Sequence, residues 1–427
     1  MIKDRTGDFR VTEQLADGYI VPKGRFSVYR VQKRKLTSFE AANELADLAN
    51  VPREAVSFAG LKDRQGVTIQ YMSVEGGKPV SLSSGQLRIE LVGRAQTKID
   101  SSHSLGNEFE VSVRDVPAGE VESMRAAATI SRECGIPNYF DEQRFGNLRH
   151  GQGWIARDLM MGRKEEALKR LLCSTSQHDD PRTATLKRAM REEWRDWKKC
   201  RDIAGKLGAH HSVFEHLGKD PRDYIGAFGR IASRIRTIHL FAYQSHIWNR
   251  VAVEFLRERL STEPCLEVSG LEGPLLFAAG RFQVTQGQDY TLRLPGPHLA
   301  DVKDAQHKRI FERVLHSEGL SPRSFNIEGI PGFALKGEDR ALFIYPDIAP
   351  IRGERDKRSA SAYSKREGSD LVTVKLRFAL PRGAYATVVV KRLIAKEKRN
   401  HAWGSGSRKP DAPSNPKQKP KRNPFHD

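Results

Sequence analysis

The feature that most limits how this chain can fold is a sheet-forming pattern that stops and later resumes. Apolar and polar residues alternate in Phe9–Glu13 and Phe26–Val31, and further strands are predicted over Val67–Val74, Leu87–Val92 and Glu108–Val113; a strand with one buried face has this period. Between them, Thr37-Ser38-Phe39-Glu40 matches a capping box, and Ala41, Ala42, Leu45, Leu48 and Ala49 give the helix it opens an apolar side. A second helix is predicted over Glu120–Cys134, stopped by Gly135 and Pro137. After about residue 153 helical spacing takes over, in Ile155–Leu172, Thr185–Leu207 and Ile231–Leu260. Trp194 and Trp197, three apart, read as a core-facing stripe rather than a platform for nucleobases. Mixed strand and helix runs to about Gly337, and from Arg340 the strand chemistry returns in Ala341–Tyr345 and Leu371–Ala379.

Strands that cluster rather than alternate with helices make this an α+β chain. A sheet that halts and returns implies one discontinuous domain carrying a large insertion. The expected division is 1–153 and 340–395 for the two parts of the sheet domain, 154–339 for the inserted α+β domain, and 396–427 for a tail. The tail holds nine Lys/Arg against three acids among Pro, Ser and Asn. It is expected to be disordered and to brush phosphates without reading sequence. Arg352–Asp370, rich in Arg, Lys, Ser and Glu, reads as a long solvated loop.

Charge narrows the partner. A net charge of +19 and a pI near 9.8 favour a polyanion, because neutralised phosphates release counterions. No apolar run is long enough to span a membrane, and Met1–Phe9 lacks an apolar targeting core, so a cytoplasmic protein without membrane contact is expected. Cys134, Cys173, Cys200 and Cys265 lie far apart and form no C-x-x-C pair, which suits reduced thiols. His210, His211 and His216 have no accompanying ligand set at metal spacing, so no metal is expected. Without a phosphate-binding P-loop or a dinucleotide fingerprint, an enzyme here would work with no cofactor. No sustained heptad indicates a coiled-coil dimer, and a monomer is expected.

Two segments carry the candidate chemistry. In Phe58-Ala59-Gly60-Leu61-Lys62-Asp63-Arg64-Gln65-Gly66-Val67-Thr68, Asp63 is bracketed by two cations in a loop with glycines on either side. Lys62 and Arg64 would favour the ionised carboxylate and suit a phosphate backbone; taken alone, the segment reads more readily as a surface turn with local ion pairs. In Ile136-Pro137-Asn138-Tyr139-Phe140-Asp141-Glu142-Gln143-Arg144-Phe145-Gly146, three aromatics stand among amides and charges just after a helix stop. Such residues stack on an extruded base and hold its edges, or they form a buried strand-like segment with its amide satisfied internally.

These two segments, with Leu380-Pro381-Arg382-Gly383-Ala384-Tyr385-Ala386-Thr387 and the opening Lys3-Asp4-Arg5-Thr6-Gly7-Asp8-Phe9-Arg10-Val11-Thr12-Glu13, resemble four signature blocks of the TruD family of pseudouridine synthases, in the family's order and spacing. The resemblance implies a pseudouridine-synthase-type sheet domain split by an inserted domain. It also implies isomerisation of uridine to pseudouridine in tRNA, with position 13 of the D arm as the usual target. Asp63 matches the catalytic aspartate, Asn138 an asparagine that orients it, and Phe140 an aromatic that packs on the target base. Lys3 matches the basic residue paired with the carboxylate. Lys62 joins these as active-site support, while Arg64, Gln143 and Arg144 are expected at the RNA. The chain departs from the pattern where Thr6-Gly7 replaces Pro-Glu before Asp8-Phe9, and where Lys98–Asn107 is less basic than usual. A protein that binds or remodels RNA on the same scaffold is the rival reading; it has no evident use for the Asp63 carboxylate. A nuclease reading lacks metal ligands.

Overall fold

A computed structural model of the chain describes residues 5–261, 263–281, 290–296, 302–327, 329–330, 335, 337–355 and 370–396. Lys3, most of the predicted solvated loop and nearly all of the basic tail lie outside the described residues.

The centre is a ten-stranded mixed sheet built from both ends of the chain. Its strands are β1 (Phe9–Leu15), β2 (Phe26–Arg34), β3 (Val56–Phe58), β4 (Val67–Glu75), β5 (Leu82–Ser83), β6 (Leu87–Ala95), β7 (Ser104–Pro117), β8 (Asp347–Ile348), β9 (Arg352–Glu354) and β10 (Leu371–Pro381). They run in the order β8-β10-β7-β1-β4-β2-β6-β5, with β3 beside β4 and β9 beside β10. β1 and β4 are parallel, Val11 facing Thr68, which demands a crossover; here β2, helix α1 (Ser38–Ala49) and β3 supply it. The parallel pairing sets Arg10 opposite Val67, so the loop holding Asp63 ends at the same sheet edge where β1 begins.

α1 forms as its capping box dictates: Thr37 Oγ1 accepts from Glu40 N (3.1 Å) and Glu40 Oε2 from Thr37 N (2.6 Å). Its face of Ala41, Ala42, Leu45, Ala46 and Ala49 packs on Tyr29, Val31, Met72, Val74 and Ile89 of the sheet. α2 (Glu120–Cys134) ends at Gly135 with φ 78°. After β10 the chain turns at Gly383, φ 84°, and enters α4 (Ala386–Ile394), which packs near α2.

Between α2 and β8 the chain is mainly helical, and α3 (Ser233–Arg259) is its long, largely buried member. The segment predicted as one helix over 155–172 is two, Ile155–Met160 and Lys164–Cys173, because Gly162 takes φ 75°. The 185–207 segment likewise divides into Pro181–Glu192 and Trp197–Leu207. Arg195 turns left-handed (φ 84°), and Asp196 caps the second helix through Lys199 N (3.1 Å). Trp194 and Trp197 flank this break edge to face at 5.3 Å; Trp197 is buried and stacks on Phe214, as the core reading expects. Ala341–Tyr345 is not one strand: Asp339–Ala341 pairs with Thr291–Arg293, and Phe343–Ile344 with Ile136–Pro137. The supposed solvated loop opens as β9, paired to β10.

Cys134, Cys173 and Cys200 are buried free thiols and Cys265 is exposed. Burial pushes Cys173 up to about 12 and Cys200 to about 11, so neither is a thiolate at neutral pH. No described helix is long and apolar enough to cross a membrane.

Candidate active site

The loop before β4 is fixed from three sides. A side chain at Gly66 would meet Phe9 O at 2.7 Å, so only glycine lets the loop close against β1. Ser38, at the start of α1, accepts from Lys62 N (3.0 Å) and donates to Gln70 Oε1 (2.7 Å). From beneath, the fully buried Lys33 of β2 donates its ammonium to Leu36 O (2.8 Å), Asp63 O (2.9 Å) and Lys62 O (3.3 Å). Burial pushes the Lys33 pKa down to about 8, against the opposing pull of Asp63 and Glu40. Asp63 itself is half-buried, and its Oδ1 accepts from Gln65 N (2.9 Å).

Lys62 turns inward. Its ammonium pairs with Glu13 Oε1 at 2.8 Å and donates to Asn107 Oδ1 at 2.6 Å. Glu13 is 2% exposed, and its second oxygen accepts from Tyr71 N (2.9 Å). The cation beneath the Asp63 peptide is therefore Lys33, while Lys62 knits β1 to β7. Arg64 is exposed and donates to Lys35 O (3.2 Å).

Asp63 opens onto a cavity of about 200 Å³, sized for a pyrimidine ring. Its walls come from β1 (Phe9, Val11), the loop (Leu61, Lys62), β7 (Asn107, Phe109), Gln143, and the turn into α4 (Gly383, Tyr385, Thr387). All four stretches singled out in the sequence thus meet at one place.

Asn138, Phe140 and Arg144 sit around this cavity without lining it. The Asn138 amide is occupied: Nδ2 donates to Ala341 O (3.2 Å), and Oδ1 accepts from Arg340 Nη2 (2.8 Å). Arg340 also donates to Asn138 O (3.0 Å) and Gly383 O (3.0 Å), and its guanidinium lies 4.0 Å from the Phe140 ring centre. Burial and the nearby Arg144 push Arg340 down to about 10, which leaves it a cation at neutral pH. Arg144 stands 5.4 Å from the same ring, and its buried Nε has no hydrogen-bond partner among the described residues. The Phe140 ring is 5% exposed, with Trp248 and Tyr385 at its edges. Its backbone is clamped by Asn249 of α3: Phe140 N donates to Oδ1 (2.9 Å) and Nδ2 to Phe140 O (2.8 Å). Lys391 of α4 holds Asp141 (2.6 Å) and Glu142 (3.0 Å), tying this segment to the turn at Gly383.

Sequence reasoning missed Lys33, Glu13, Asn107, Arg340 and Asn249 as parts of this site, and left Tyr385 without a role. Lys33 had a legible signal, since it shares strand parity with the buried Tyr29 and Val31. Arg340 and Asn249 had none, because their partners lie about two hundred and about one hundred residues away.

The family model described as tRNA pseudouridine synthase D (TruD) matches residues 1–269 and 279–393. A Methanococcus maripaludis relative named "Probable tRNA pseudouridine synthase D 1" is 28% identical over 382 residues, 87% of this chain and 93% of that one. The tRNA pseudouridine synthase D of Aquifex aeolicus is 26% identical over 405 residues, covering 93% and 98%. The crystal structure of a TruD chain from Methanosarcina mazei superposes with a TM-score of 0.69 over 92% of each chain, at 21% identity; the likeness is one of fold.

Proposed function

The chain belongs to the tRNA pseudouridine synthase D (TruD) family, and from that premise we propose that it converts one uridine of tRNA, position 13 of the D arm, to pseudouridine with Asp63 as the catalytic carboxylate. The supporting observation is the convergence of four separated stretches on one aromatic-walled cavity that contains Asp63. Uridine and pseudouridine have the same atoms, so the reaction balances without a cofactor. The glycosidic bond breaks, the uracil turns within the cavity, and a C–C bond forms before the base escapes. Asp63 serves by attacking the ribose or base, or by moving a proton on the sugar.

A uridine inside folded tRNA must be flipped out to reach this carboxylate. Phe9, Phe109 and Tyr385 give the extruded ring apolar surface. Stacking on Phe140 requires Arg340 to share that face or yield it, because the guanidinium already covers the ring. Arg144 and Arg340 add positive charge where phosphates or developing negative charge would be stabilised. The enzyme acts in the cytoplasm as a monomer in this reading, with tRNA as its partner.

The test is pseudouridine mapping on tRNA incubated with wild type and with Asp63→Ala, no cofactor added. A new pseudouridine at one D-arm position, made by wild type alone, is the expected result. Tight tRNA binding with no new pseudouridine would sink the proposal and return the chain to the RNA-binding reading.

A further inference from the structure

We propose that Lys33 is a positioning residue for Asp63, holding the catalytic loop at its working height through its backbone; this rests on the reading of Asp63 as catalytic. The geometry is that of a three-point anchor. An ammonium has three N–H donors, and those of Lys33 reach the carbonyls of Leu36, Lys62 and Asp63 at 2.8, 3.3 and 2.9 Å. One carbonyl belongs to the segment entering α1 and two to the catalytic loop, so a single side chain fixes the loop to the helix and to the sheet below. Lys33 is 0% exposed.

Burying this charge has a cost in folding. The folded-state pKa is lowered, to about 8. The buried charge therefore opposes folding throughout the range below that value, and the penalty is relieved as pH rises through it. An apolar side chain of similar length would avoid the penalty. What it could not do is donate to the two peptide oxygens that set the position of Asp63. The charged groups facing Lys33 are Asp63 and Lys62 from the loop and Glu40 from α1. The two carboxylates favour the ammonium and Lys62 opposes it. When Lys33 loses its proton, one of the three bonds must go and the loop loses the cation beneath it.

The test compares wild type with Lys33→Met and Lys33→Arg. Three quantities are followed: hydrogen exchange of residues 60–66, tRNA affinity, and pseudouridine formation from neutral to alkaline pH. Lys33→Met should bind tRNA as wild type does, exchange faster in the loop, and lose roughly 100-fold in kcat, the scale of a 1 Å misplacement. Wild-type kcat should fall as pH rises through about 8, and Lys33→Arg, whose charge persists, should remove that limb. Unchanged loop exchange and kcat in Lys33→Met would overturn the proposal. Were Lys33→Met not to fold, identical alkaline limbs in wild type and Lys33→Arg would overturn it equally. If wild type makes no pseudouridine, the functional reading fails on its own, and faster or unchanged loop exchange in Lys33→Met still decides whether Lys33 holds the loop.

Discussion

Replacing Arg340 by lysine keeps the charge and removes the planar fork, which isolates what the fork does. Arg340 makes three hydrogen bonds, to Asn138 O, Asn138 Oδ1 and Gly383 O, and its guanidinium carbon lies 4.0 Å from the Phe140 ring centre. A lysine ammonium at the end of a flexible stem can recover one of the three. Two charge-assisted bonds are then lost at about 1.5 kcal/mol each, the low end for a partly exposed group. The poorer stacking cation removes about 0.5 kcal/mol more. A total of about 3.5 kcal/mol lowers the melting temperature of a domain this size by roughly 7–14 °C. Kinetics should change as well, because the freed groups are the Asn138 amide and the Gly383 turn that walls the cavity. We expect kcat to fall roughly 10–100-fold with KM for tRNA little altered. The assay pairs a thermal melt with single-turnover pseudouridine formation. A variant that melts with wild type, or loses only KM, would show that the fork is not what organises this corner.

Asn249→Ala, distant in sequence but clamped to the Phe140 peptide, removes two buried hydrogen bonds there and a third to Glu272, and should cost about 3 kcal/mol. It should also lower kcat; a melt and rate equal to wild type would make the clamp incidental. Glu318 offers a test by pH. Burial alone would raise its pKa, but His246, Arg250 and Tyr243 hold it down to about 2. A carboxylate with a lowered folded-state pKa contributes stability above its unfolded value, about 4.5, and loses it as pH falls toward 2. Urea midpoints of wild type should therefore drop more steeply across that window than those of Glu318→Gln, and parallel curves would refute the assignment.

Elements whose signals are local were readable from sequence. α1 follows from its capping box, and α2 from the glycine that ends it. The return of strand chemistry near the C-terminus foretold that late residues would share a sheet with early ones, and Phe378 does lie opposite Phe109. Breaks that depend on one left-handed residue, such as Arg195, were not readable, because helical spacing continues across them. The direction of a charged side chain was the hardest matter. Lys62 stands next to Asp63 in sequence, yet Glu13 and Asn107 draw its ammonium to the junction of β1 and β7. Lys33, thirty residues away from Asp63, lies under the loop instead. Only the parity of Lys33 with Tyr29 and Val31 hinted at burial, and parity cannot say what a buried ammonium meets.

The pairing of β10 with β7 has a consequence for how the protein is made. Glu108 of β7 and Arg377 of β10 are joined across 269 residues. At translation rates of about 5–20 residues per second, the inner edge of β7 waits on the order of tens of seconds for its neighbour to leave the ribosome. An open edge of that kind invites pairing with the wrong strand, so the nascent chain is most exposed to aggregation late in synthesis. A ribosome that stalls before Leu371 releases a chain with neither β10 nor the Gly383–Thr387 wall of the cavity. Such a product lacks one whole side of the cavity that contains Asp63.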